Sequence, residues 1–169
     1  PYLTLAAILT PPALFTAGLL VSPRVRAFAL SLDPGFVTSL QSWRIVGAMF
    51  VALYAFGQLP GLFAWPAGVG DALVGLVAPF VVWRLLKAPQ SLGTRRFRMF
   101  HYSGMFDFVV AVSTGIIARE HIPGLVEGAT SAAMGQFPLT RIPTFFVPMF
   151  TILHIIALYH SFRAERGEG

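Results

Sequence analysis

The sequence predicts an all-α fold, a single polytopic membrane bundle of five transmembrane helices spanning residues 1–169, with its N-terminus outside and its C-terminus inside. Three observations carry this. The 169 residues are 56% hydrophobic and only 11% charged, against roughly 25% charged usage in soluble domains. The apolar residues fall into runs of about 20, the length a helix needs to cross the hydrocarbon core. Lys and Arg gather on one side: Arg24, Arg26, Arg44, Arg84, Lys87, Arg95, Arg96, Arg98, Arg163 and Arg166, against Arg119 and Arg141. That asymmetry assigns the first group to the cytoplasm.

The first helix is expected over residues 3–22, which carry no charge. The run lacks both a charged n-region and an A-x-A-like cleavage site, so it reads as a retained helix. Pro11 and Pro12 should kink it, because proline removes a backbone donor and crowds the preceding turn. Residues 23–38 bring Arg24, Arg26 and an Asp33-Pro34-Gly35 turn signal with too few apolar residues to span, and suggest an interfacial segment. Residues 39–58 and 69–87 form a hairpin about the Gly/Pro-rich corner QLPGLFAWPAGVGD, residues 58–71. Asp71 opens the third helix, where a carboxylate suits the positive end of the dipole. The next loop is the most basic of the chain. The fourth helix, residues 99–118, is interrupted by His101 and Asp107; a periplasmic loop, residues 119–142, carries nearly cancelling charge; and the fifth helix, residues 143–162, has a second kink candidate at Pro148.

At 100° per residue, Gln41, Arg44, Ala48, Ala55 and Gln58 share one face of the second helix, and Asp71, Gly75, Ala78 and Val82 one face of the third. These small faces should meet, since membrane helices approach closely through small residues. His101, Gly104, Asp107, Ala111 and Thr114 form a stripe on the fourth helix; Val147, Thr151, His154 and Ser161 line up on the fifth. These two helices run antiparallel. Counting from their cytoplasmic ends sets His101 level with His160 and Asp107 level with His154, at 1.5 Å per residue.

Ionisable groups inside a membrane are functional candidates because their burial is costly. The buried polar candidates are therefore Asp107, His154, Arg44, His101 and Asp71. Asp107 with His154 suits a proton relay or the orientation of a ligand, and equally a polar pair that fixes helix packing, with Arg44 as the other partner open to Asp107. His101, His154 and His160 are the residues for haem, quinone or pigment binding. The basic balance of +5 sits at helix ends rather than on a solvated face, which argues against nucleic acid. Cysteine is absent, and Glu120-His121 with Glu127 lacks H-E-x-x-H spacing, so no metal site is expected. No Walker A run, G-x-G-x-x-G or G-x-S-x-G elbow occurs.

The runs QSWRIVGAMF, GQLPGLFAWPAGVGD, FDFVVAV and PTFFVP resemble small, uncharacterised bacterial polytopic inner-membrane proteins over much of residues 41–154. The resemblance implies a multi-pass protein of the bacterial cytoplasmic membrane and supplies no activity or cofactor. Without a catalytic signature, the expected function is a non-enzymatic accessory or assembly component that binds another membrane protein, or a second copy of itself, through its apolar surface. A proton or small-solute transporter using Asp107 and His154 is the alternative, and a haem, quinone or pigment protein the third reading.

Overall fold

The computed structural model describes residues 2–167, and six helices follow one another along them: α1 (Tyr2–Val21), the short α2 (Pro23–Ser31), α3 (Pro34–Ala55), α4 (Gly61–Lys87), α5 (Arg95–Ile117) and α6 (Ile142–Glu165). All except α2 are long and apolar enough to cross a membrane. Short 3₁₀ turns at Pro89–Gly93 and Ser131–Gly135 fill the last two connections.

The expected boundaries shift where turn-forming residues serve other purposes. Asp33-Pro34-Gly35 starts a helix: the Asp33 carboxylate accepts from the Phe36 N–H at 2.6 Å and Pro34 takes the first helical position, an arrangement proline tolerates because that position needs no donor. Residues 34–38 thus join α3, with Val37 and Thr38 fully buried, and the interfacial segment shrinks to α2. Ser22 and Pro23 open α2 in the same way.

The corner over residues 58–71 is also much shorter than expected. Gly57, at a φ of 66°, ends α3, with the Gln58 N–H returning to the Leu53 carbonyl, the left-handed stop that glycine allows without strain. Helix α4 begins at Gly61, so Asp71 lies well inside it and is no N-terminal cap. Gly61, Pro66, Gly68 and Gly70 of that stretch are helical, and Pro60 is the extended residue that precedes them. Pro11 and Pro12 likewise lie within an unbroken α1. Pro148 follows a π-helical turn, Ile142–Phe146, that widens the start of α6.

Helix α3 departs from regular geometry. Between α-helical ends, Leu40–Ala48 is wound as a nine-residue 3₁₀ helix, long for a conformation seldom sustained beyond 3 or 4 residues. With three residues per turn, Thr38, Gln41, Arg44, Gly47 and Phe50 fall in one line, and all five are buried. The 100° face is corrected accordingly: Gly47 replaces Ala48, while Ala48, Ala55 and Gln58 are exposed.

The small faces of α3 and α4 do meet. A Cβ at Gly75 would strike the backbone of Ile45 and Arg44, and one at Gly68 would press on Val51 and the Gly47 carbonyl. Backbones this close gain van der Waals contact that larger side chains would prevent. One apolar cluster joins Leu19, Ala29, Val37, Leu85, Phe97 and Ile156; another joins Phe50, Leu59, Phe63, Ala67, Ala118 and Val126. Along α4 and α5 the polar residues lie between these two clusters.

Candidate functional site

Arg44 stands at the centre of the bundle, 3% exposed. The 3₁₀ winding aims it between α4, α5 and α6, and its guanidinium reaches all three. Nε donates to Asp71 Oδ1 at 2.7 Å, Nη2 to Asp107 Oδ2 at 2.5 Å, and Nη1 to both the Gly104 carbonyl and His154 Nε2 at 3.1 Å. The guanidinium carbon lies 3.8 Å from the Phe108 ring centre, a cation–π contact on its remaining face. A planar fork of donors suits this task; a lysine ammonium could not address partners in so many directions.

From His154 the hydrogen bonds continue in one direction. Arginine only donates, so His154 Nε2 must accept and the neutral ring carries its proton on Nδ1. That N–H points at His101 Nδ1, 2.8 Å away, which therefore accepts and leaves the His101 proton on Nε2. His101 Nε2 then faces Thr38 Oγ1 at 3.4 Å, and the Thr38 hydroxyl donates to the Pro34 carbonyl at 2.7 Å. The row Arg44, His154, His101, Thr38, Pro34 is uniformly polarised.

The site is housed by missing side chains. A Cβ on Gly47 would fall on the Asp71 carboxylate, one on Gly70 on that of Asp107, and one on Gly104 on the His154 imidazole. Glycine is required at these points by close approach rather than by backbone conformation.

All five polar candidates come together, and Asp107 takes the alternative partner, Arg44, and not His154. His101 lies at the level of His154 rather than near the helix end, because equal-depth counting fixes height only to about a turn and says nothing of azimuth. His160 is elsewhere, bonded to the Ala29 carbonyl at 3.0 Å. The facing Nδ1 atoms of His101 and His154 hydrogen-bond each other, so no gap for an iron separates them. Sequence reasoning missed Thr38, Gly70 and Phe108. Thr38 had a signal only in the three-residue spacing that runs through Gln41 and Arg44 to Gly47; Gly70 on α4 and Phe108 on α5 had none. Gln41 itself donates to the Phe150 carbonyl at 3.3 Å, and its Oε1 is buried without a partner among the described residues.

Two cavities border the cluster. One of about 530 Å³ lies between α3 and α6 and has Arg44 and Asp71 in its wall. The other, about 110 Å³, leads from Asp71 towards Arg119 and Ser131 at the far end of α5. Both touch Phe50, Asp71 and Phe108. Asp71 is thus the acid of the cluster that faces open space on two sides, and among the described residues its Oδ2 accepts no hydrogen bond.

A family model described as a domain of unknown function, DUF8737, matches residues 1–161. No curated protein matches the chain, and no solved structure matches it.

Proposed function

The chain belongs to the DUF8737 family, a domain of unknown function, and from that premise we propose that it is a proton-coupled membrane carrier that binds and releases a proton at the Arg44 cluster. The observation that carries this is one guanidinium shared by two carboxylates, Asp71 and Asp107. With both ionised and both histidines neutral the cluster holds one excess negative charge. A charge left uncompensated in so dry a place is expensive, and one proton cancels it. The 110 Å³ cavity gives Asp71 a route to the end of the bundle near Arg119. On the other side, the polarised row from His154 to Pro34 is built like a proton wire. Arg44 does not deprotonate in proteins, so while it occupies His154 Nε2 it insulates the wire from the carboxylates, as a coupled carrier requires.

In this reading the protein is a five-span protein of the bacterial cytoplasmic membrane, N-terminus out and C-terminus in. Arg44 leaves the count of helix-end cations, since it lies inside the bundle, yet the remaining bias still favours the side with Arg95, Arg96 and Arg98 as cytoplasmic. A reporter fused at Gly93 should be cytoplasmic and one at Gly61 periplasmic; finding both on one side would overturn this orientation.

The reading as an accessory component rests on exposed apolar residues such as Leu14, Phe80 and Leu86, which lipid alone also covers. Infrared difference spectra of the full chain in lipid nanodiscs, between low and high pH, separate the two. A protonated-carboxyl band should titrate in the native chain and vanish when Asp71→Asn and Asp107→Asn are combined. A spectrum without that band removes the proton reading, and a stoichiometric partner retained on native purification would then favour the accessory role.

A further inference from the structure

We propose that the 530 Å³ cavity between α3 and α6 binds a lipophilic organic cation, which takes the place of the proton on the Asp71 side of the cluster. This rests on the proton reading and names its substrate class. The volume lies within the roughly 300–1,000 Å³ of small-molecule sites, and its wall is apolar apart from Arg44 and Asp71.

Three features select the ligand. The large exposed residues of the cavity lining, Trp43, Val46 and Phe146, are 70%, 53% and 42% exposed and all apolar. Entry is therefore from an apolar phase, and hydrophilic solutes are disfavoured. Inside, rings of Trp43, Phe50, Phe108, Phe146 and Phe150 form the wall, and aromatic faces attract cations most strongly where water is excluded. At the polar end the charge balance decides the sign. Four of the five Arg44 N–H groups are committed to Asp71, Asp107, Gly104 and His154, whereas Asp71 Oδ2 is an acceptor uncommitted among the described residues. An anion would add to an excess of carboxylate; a cation cancels it.

Proton and cation thus compete for one negative charge. When the cation enters, the carboxyl O–H bond breaks and its proton leaves; when the proton returns, the cation is released. No oxidant or covalent intermediate is involved.

Tetraphenylphosphonium and tetraphenylborate present the same four phenyl groups with opposite charge, and they supply the test. Titrated calorimetrically into the full chain in nanodiscs at alkaline pH, the phosphonium should bind saturably at one per chain. Empty nanodiscs, titrated alongside, remove partition into lipid. Asp71→Asn should weaken binding about tenfold or more, the scale of one lost charge-assisted contact, and acidification should weaken it likewise in the native chain. Met149→Trp, which fills the cavity away from the charges, should abolish binding while the thermal midpoint stays in place, so that loss of fold is not mistaken for loss of site. Equal binding of the borate, unchanged phosphonium binding in Asp71→Asn, or saturable binding of a neutral quinone without any of the phosphonium would overturn the proposal. A titrating carboxyl band with no cation binding also overturns it and leaves the proton reading standing. Asp71-dependent binding that ignores pH and releases no proton would overturn the exchange and the proton reading together.

Discussion

Arg44→Met should lower the unfolding free energy of the detergent-solubilised chain by about 3 to 5 kcal/mol, the cost of removing one partner from a buried ionic group. The methionine fills similar space, so the loss reports charge and hydrogen bonding rather than a cavity. Two carboxylates lose their counter-ion at once, and the Gly104 carbonyl and His154 Nε2 lose a donor. Adding Asp71→Asn and Asp107→Asn to the same chain should recover much of the loss, because amides need no counter-charge. Denaturant unfolding of the single, double and triple variants gives the coupling directly. Additive losses would show that the three residues do not act as one unit. Arg44→Lys should recover only part of the stability, since an ammonium cannot span the same acceptors.

Gly75→Ala should destabilise the bundle by about 1 to 3 kcal/mol, the range for overpacking a well-filled site. The new methyl would meet backbone atoms of Ile45 and Arg44, which cannot rotate aside as a side chain can, so α3 and α4 must separate. The sign is informative because intrinsic helix preference runs the other way, favouring Ala over Gly by up to about 1 kcal/mol inside a helix. Gly115→Ala is the control: its Cβ would sit 3.4 Å from the Phe63 ring, in ordinary contact, and that variant should be neutral or slightly stabilised. Equal thermal midpoints for the two variants would show that α3 and α4 are not held by close backbone contact.

Hydropathy made the five long helices legible, because a helix long and apolar enough to cross a membrane needs a run of a given length and little else. Boundaries were less so. Asp33-Pro34-Gly35 is chemically both a turn and a helix start, and only the packing of Val37 and Thr38 decides between them. Gly61, Gly68 and Gly70 read as a loop by composition, although each leaves room for a neighbour on α3 or α5. Asp107 and Arg44 stood out as lone charges in apolar runs, and His154 as a polar residue in register with Thr151. Their pairing did not. A guanidinium reaches several helices at once, and which ones depends on azimuth, which the 3₁₀ winding of Leu40–Ala48 sets and a period of 3.6 misplaces.

That winding makes one wall of the bundle an extensible part. A 3₁₀ helix rises about 2.0 Å per residue and an α-helix about 1.5 Å, so the nine residues of Leu40–Ala48 are longer by roughly 4.5 Å than the same residues in α geometry. Three residues close a full circle in the first form and fall about 60° short in the second. Length and rotation are therefore geared together: a segment that contracts must also turn Arg44 out of line with Gln41 and Gly47, withdrawing its Nη1 from His154. Freeing the Arg44 end of the hydrogen-bonded row and shortening the wall would be one movement, with the gear ratio set by backbone geometry rather than by any side chain.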